Sequence, residues 1–118
     1  MSIIEQRRVS NHLLAALPPA DFARLATAQV PVDLAVYQTL FRAEDEVEAA
    51  YFVETGTISM LTNLADGNLV EVGMVGPDGM AGLPLVFDTT ISPVQAMVQI
   101  PGHSWRIAAP AFRAGAAG

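Results

Sequence analysis

Two histidines, His12 and His103, are the only imidazoles in 118 residues, and cysteine is absent. That inventory bounds the chemistry. Without thiols the chain has no disulfide, no thiolate zinc site, no all-cysteine iron–sulfur cluster and no cysteine nucleophile. The histidines stand 91 positions apart (103 − 12), unlike the clustered His and carboxylate ligands of a cupin-type metalloenzyme. Ser59 or Ser104 with His103 would supply part of a Ser-His-Asp arrangement, but no nucleophile-elbow motif accompanies them. Haem ligation would fall to the same two histidines, and both are expected instead at the surface or in local hydrogen bonds. The acidic run Glu44, Asp45, Glu46, Glu48 lacks the turns and spacing of a calcium loop and reads as a solvated loop. No enzymatic centre and no bound metal are expected.

One segment has the composition of a ligand loop. Gly76-Pro77-Asp78-Gly79-Met80-Ala81-Gly82-Leu83-Pro84 holds three glycines and two prolines in nine residues. Glycines this dense permit close backbone approach, and a following helical turn offers N–H groups to an anion. Taken alone, such spacing favours an ordinary glycine-rich loop, since it matches no fixed motif. If it binds, the backbone groups of Gly79, Ala81 and Gly82 are the expected polar contacts. Met74, Met80, Leu83, Leu85 and Met97 are available to line an apolar pocket, although core packing is the more ordinary role for most of them.

The elements that would position this loop are short. Ile3, Ile4, Val9, Leu13, Leu14 and Leu17 approximate helical spacing over residues 2–17, and Pro18-Pro19 stops that helix. Asp21 opens a second short helix with Phe22, Leu25 and Ala26 on its buried face. From Val30 the pattern changes to alternation through Val32, Leu34 and Val36, as in a half-buried strand. Tyr51-Phe52-Val53 reads as a strand ended by Thr55-Gly56. Thr57–Leu64 and Leu69–Val75 read as strands joined by Ala65-Asp66-Gly67-Asn68, where Asp-Gly supplies the positive φ. Strands at 94–100 and 103–108 follow, divided by Pro101-Gly102. Pro110 starts a last helical turn. Six to eight short antiparallel strands at this spacing predict a barrel, roll or sandwich.

Composition narrows the function. The apolar share of 52% indicates a buried core in one domain spanning residues 1–118. Twelve acids face six arginines with no lysine, a net charge of −6. Phosphate neutralisation needs Lys and Arg, so this chain alone is not expected to bind DNA. Apolar runs are too short to span a bilayer, and Glu5, Arg7 and Arg8 stand where a signal peptide would be apolar. An intracellular, cytoplasmic protein without a membrane partner is expected.

The order of segments resembles the effector domain of the catabolite-activator/Fnr (Crp/Fnr) family of bacterial transcription regulators, from about Asn11 to Phe112. Asn11-His12-Leu13-Leu14-Ala15-Ala16-Leu17-Pro18 resembles the opening helix of these domains. Tyr51–Ser59 resembles their strand-glycine-strand signature. Asp66–Gly73, then Val75-Gly76-Pro77-Asp78-Gly79 and Gly82, match a common subgroup, as does Val98-Gln99-Ile100-Pro101-Gly102 leading into Arg106-Ile107 and Phe112. The resemblance implies a mainly β fold: a double-stranded β-helix, or jelly-roll-like β-roll, flanked by short N-terminal helices and a C-terminal helical turn. It implies a small-molecule effector of unknown identity, a homodimer in the full-length protein, and DNA contact only through a C-terminal domain this chain does not contain.

Departures from the family pattern concern the ligand. In cyclic-AMP-binding members a glycine-glutamate pair opens a short helix, the glutamate binds the ribose hydroxyl, and a later arginine neutralises the phosphate. That pair falls here on Gly82 and Leu83, and leucine accepts no hydroxyl proton. The arginine belongs near Ser92–Gln95, yet none occurs between Arg42 and Arg106. A buried phosphate without a cation carries a large desolvation cost. High-affinity cyclic-AMP binding is therefore not expected, while a cyclic nucleotide or another small effector remains the ligand class implied. The ligand-binding set carried forward is Gly79, Ala81, Gly82, Leu83 and Met97. Glycines usual in the family are replaced at Tyr37 and Glu44, so the early turns are expected to differ in shape. Full-length members continue into a dimerisation helix and a winged helix-turn-helix, for which Ala111–Gly118 leave no room. The alternative reading is a ligand-free interaction or dimerisation module.

Overall fold

Caps and prolines set the N-terminal helices. The structure, a computed structural model, describes residues 6, 9–82 and 91–117. α1 (His12–Ala16) begins after Asn11, whose side-chain oxygen accepts from the N–H groups of Leu13 and Leu14. The helix expected over 2–17 is thus only five residues long where it is described; Ile3 and Ile4 lie outside the described residues. At its other end Gln6 Nε2 donates to the carbonyls of Leu14 (3.0 Å) and Leu17 (2.8 Å). α2 (Pro19–Ala26) starts two residues before the expected Asp21, because the fixed φ of proline suits a first helical position. Its buried face is Phe22, Leu25 and Ala26, as the spacing predicts.

Among the described residues six strands follow: β1 (Val30–Leu34), β2 (Thr39–Phe41), β3 (Ala49–Asn63), β4 (Leu69–Val75), β5 (Met80–Ala81) and β6 (Gln95–Ala108), then α3 (Ala109–Ala117). All pairings are antiparallel. β3 and β6 run beside one another for most of their length, and each serves two halves of the sheet. In one half β1 pairs with residues 102–106 of β6, and β5 pairs with Tyr51 and Phe52 of β3. In the other, β2 pairs with Ala96 and Met97 of β6, and β4 pairs with residues 58–63 of β3. This is the jelly-roll-like, mainly β architecture with short flanking helices.

The sequence divides each long strand in two, and the structure corrects that. Tyr51–Val53 and Thr57–Asn63 belong to one strand, β3, which ends one residue before Leu64, and Pro101-Gly102 is a bend within β6 rather than a turn between strands. The physical reason is a shared irregularity: register shifts fall between Val53, Thr55, Thr57 and Ile58, opposite residues 98–104. Bulges there absorb the curvature and accommodate a proline that cannot donate to the ladder. β1 likewise stops at Leu34, since Val36 lies in the following turn.

The core is built from Leu34, Val47, Val53, Ile58, Val98 and Ile107, each at most 2% exposed. The helices close one end, where the rings of Phe52 and Phe112 meet at a centroid distance of 6.5 Å.

The early turns keep the conformation that glycine favours. Tyr37 has φ +65° and Glu44 φ +69°, so the expected change of shape does not occur at these backbones. Each turn is held from across: Tyr37 N–H donates to Val98 O, and Glu44 N–H to Ser92 O, both at 2.8 Å. A side chain in this left-handed region costs about 1–2 kcal/mol, partly offset by the greater unfolded-state entropy of glycine. Tyr37 is 73% exposed and gives up little packing. Tyr37→Gly should therefore stabilise by about 0.5 kcal/mol; a lower urea midpoint than the parent chain's would contradict it.

Candidate functional site

The glycine-rich segment is anchored at several points. Its first turn closes with Gly79 N–H donating to Gly76 O at 3.0 Å. Two of its carbonyls are bound by the N-terminal helix: Pro77 O accepts from His12 N–H at 2.7 Å, and Gly79 O from Asn11 Nδ2 at 2.8 Å. Met80 and Ala81 then pair with Phe52 and Tyr51 as β5. Gly82 is buried with φ +109°, and a Cβ there would lie 3.0 Å from Ala49 O and 3.0 Å from Ala50 Cα. Glycine is required at this point twice over, by its dihedral and by the approach of β3.

Leu83 and Leu85 lie outside the described residues, which resume at Ile91. Both flanks of that interval rest on the same stretch of chain. Gly82 packs on Ala49 and Ala50, and Ile91 bridges to Glu46. Ser92 is 1% exposed. Its hydroxyl donates to Val94 O (2.8 Å) and accepts from Val94 N–H (3.1 Å), so it closes a local turn on itself. The chain from Ile91 to Gln95 thus presents no cation where the resemblance calls for one.

Of the proposed ligand residues, Gly79, Ala81 and Gly82 share one segment. Met97 sits in the other half of the sheet, half-buried between Thr39 and Ser59. The Gly79 carbonyl is already bonded to Asn11, and Ala81 and Gly82 are buried where β5 meets Tyr51 and the chain passes Ala49 and Ala50. The other methionines divide. Met80 lines an apolar groove of about 360 Å³ with Leu13, Leu17, Leu25, Phe52 and Phe112. Met74 is 53% exposed on β4.

A second cleft, about 420 Å³, lies beside residues 39–51 and is polar. It is lined by Arg42, Asp45, Glu46, Glu48, Tyr51 and Arg106 among others. Arg106 Nε donates to Tyr51 Oη at 3.3 Å. Three carboxylates against two guanidiniums leave a negative excess, which opposes an anionic ligand there.

The histidines are apart and outward. His12 is exposed on α1, and His103, exposed on β6, places Nδ1 2.9 Å from Asp33 Oδ1. Among the described residues no group of three or more His, Asp or Glu side chains is arranged to hold a metal ion. Nor, among them, is any helix long and apolar enough to cross a membrane.

Sequence reasoning missed Asn11 as a site-supporting residue. The signal was present, since Asn before a run of Leu and Ala is a helix N-cap pattern. That its amide also reaches the glycine-rich segment could not be read from spacing.

The geometry has counterparts among known proteins. The cyclic nucleotide-binding domain family matches residues 31–117. No curated protein matches the chain. Among solved structures, a cyclic nucleotide-binding-like protein from Brucella abortus bv. 1 str. 9-941 is 24% identical, with 90% of each chain covered and a TM-score of 0.71. The N-terminal domain of a transcriptional regulator from Streptomyces coelicolor A3(2) is 23% identical (93% of this chain, 77% of that one; TM-score 0.73). The sensor domain of the transcriptional regulator DNR from Pseudomonas aeruginosa is 20% identical (90% and 71%; TM-score 0.72). At these identities the likeness is one of fold. The family match is wider in meaning, because it runs through both halves of the roll, the glycine-rich segment and α3: the chain belongs to the cyclic nucleotide-binding domain family.

Proposed function

We propose that this chain is the effector-sensing domain of a Crp/Fnr-type transcription regulator whose pocket has lost ordinary cyclic-AMP recognition. It acts by binding a small effector, not by catalysis. Family membership supports the ligand class, and the transcription-regulator domains among the fold's neighbours support the setting. The observation that carries the altered specificity is the arginine- and lysine-free stretch from Ala43 to Trp105, with a self-satisfied Ser92 turn where a phosphate partner belongs. Leu83, in place of a ribose-binding glutamate, points the same way.

In this reading the effector lies against Gly79, Ala81, Gly82, Leu83 and Met97. Its binding shifts the population of α3 and of the dimer-forming helix and DNA-reading domain that follow in the parent protein. The domain works in the cytoplasm, and DNA is a partner of the parent dimer, not of this acidic chain.

Thermal-shift measurements test this. A ligand bound only by the folded state stabilises it in proportion to the logarithm of one plus the free ligand concentration over Kd, and so raises the melting temperature. Cyclic AMP at roughly 100 μM should move the midpoint by less than about 1 °C, whereas a shift of several degrees would mean phosphate recognition is intact. A panel of other cyclic nucleotides and small metabolites should contain one that does produce such a shift. A wholly blank panel would favour the ligand-free interaction module instead.

A further inference from the structure

α1 and the glycine-rich segment depend on one another through a single buried amide. Asn11 is 0% exposed and uses all four hydrogen-bonding positions of its carboxamide. Its oxygen accepts from Leu13 and Leu14 N–H, both at 3.1 Å. Its nitrogen donates to Val53 O and to Gly79 O, both at 2.8 Å. Three elements therefore meet on one side chain: the start of α1, the middle of β3 and the turn before β5. The neighbouring His12 N–H to Pro77 O bond, at 2.7 Å, repeats the α1-to-turn connection through the backbone.

Neither partner is self-sufficient. A five-residue helix is far below the length at which helices persist in water, so α1 exists only by virtue of its attachments. The turn in its turn has two carbonyls, Pro77 O and Gly79 O, that find their donors on α1. Removing the amide strands buried polar groups on both sides, and the low local dielectric makes each of these losses larger than at a surface.

We propose that Asn11 is a positioning residue for the ligand segment: through its amide, α1 and residues 76–82 open and close as one unit. The proposal rests on the reading that Gly79–Gly82 border the ligand. It makes the N-terminal helix part of the site's framework. Any change that undocks α1 then also loosens the backbone edge at Ala81 and Gly82.

The test separates capping from clamping. Serine retains a capping oxygen for Leu13 and Leu14 but cannot reproduce the two-armed donation to Val53 and Gly79. In Asn11→Ser, amide exchange at residues 79–82 should speed by roughly tenfold or more. The β1–β6 ladder at residues 30–34 and 102–106 should change by less than about twofold. Acceleration confined to residues 12–16, equal acceleration everywhere, or no change at all would each overturn the proposal. Should the variant fail to fold, the wild-type chain gives the same answer. In native-state exchange against increasing urea, the amides of His12, Leu14 and Gly79 should share one opening energy and one denaturant slope. Distinct slopes for α1 and the turn would refute the shared unit. No ligand enters either measurement, so the clamp stands or falls apart from the thermal-shift panel that tests the effector reading.

Discussion

Gly102→Ala should cost about 4 kcal/mol, a large part of the 5–15 kcal/mol that a domain has in total. A Cβ at Gly102 would lie 2.2 Å from Thr55 O, 2.5 Å from its carbonyl carbon and 2.7 Å from its Oγ1. Two of these are backbone atoms of the neighbouring strand and cannot swing aside. The φ of Gly102 is not in the left-handed region, so the requirement is for space alone. Relief demands that β3 and β6 part at the Thr55–His103 pair, which breaks the bond from His103 N–H to Thr55 Oγ1 (3.0 Å). Both halves of the sheet hang on that pairing. Gly73→Ala is the matched control: a Cβ there meets nothing within 4 Å, and urea unfolding should show a change within about 0.5 kcal/mol. A Gly102→Ala chain that unfolds within about 1 kcal/mol of the parent would show that the strands can part cheaply.

The same bend marks the limit of what the sequence could say about the fold. Gly56 and Pro101-Gly102 are turn residues by composition, and local chemistry alone reads them as strand ends. In the fold they lie opposite one another, so each strand's irregularity is accommodated by its partner's. That is a fact about pairing over about 46 positions (102 − 56), invisible to any short window. Asp66-Gly67 shows the contrary case. The turn is closed within its own residues, with Asp66 Oδ1 accepting from Asn68 N–H at 3.0 Å and Gly67 at φ +88°, and it stands where the pattern predicts. Buried faces followed the same division. Phe22, Leu25 and Ala26 are local and legible; the double burial of β3 at Ile58, Ser59 and Leu61 depends on what lies across both faces.

For the site, sequence reached the segment but not its supports. Gly82 was legible as a glycine that mattered, and both its φ of +109° and its contact with Ala49 and Ala50 give the reason. Asn11, His12 N–H and the Ser92 turn were not, because each acts through a backbone partner and a backbone carbonyl carries no sequence signature. Met97 stands in the same expected ligand set as Gly82, yet it pairs with Ser59 whereas Ala81 pairs with Tyr51. An effector that touched both would have to bridge the two halves of the roll.

Phe112→Ala should cost about 3–4 kcal/mol and free α3 while leaving the roll folded. Phe112 is the only large apolar side chain of α3 and is 6% exposed. Its ring meets Phe52 and closes the groove formed by Leu13, Leu17, Leu25 and Met80. The rest of the helix is alanine with one proline, one arginine and one glycine, and of these Ala109 is buried and Ala111 packs against the core. The bond from Ala109 N–H to Glu48 O, at 2.8 Å, also holds its first residue. Truncation forfeits the transfer energy of the ring and enlarges a groove that is already open, so little collapse can compensate. Phe112→Leu, which keeps much of the volume, should cost no more than about 1.5 kcal/mol. The decisive readout is regional. In Phe112→Ala the amides of α3 should exchange nearly as freely as in an unfolded peptide, while Ile58 and Val98 stay protected. In the proposed regulator α3 carries the response of the roll to whatever follows it, so this variant would still bind effector but no longer transmit. An α3 that stays protected without its phenylalanine would mean that its remaining attachments suffice, and that transmission does not run through the ring.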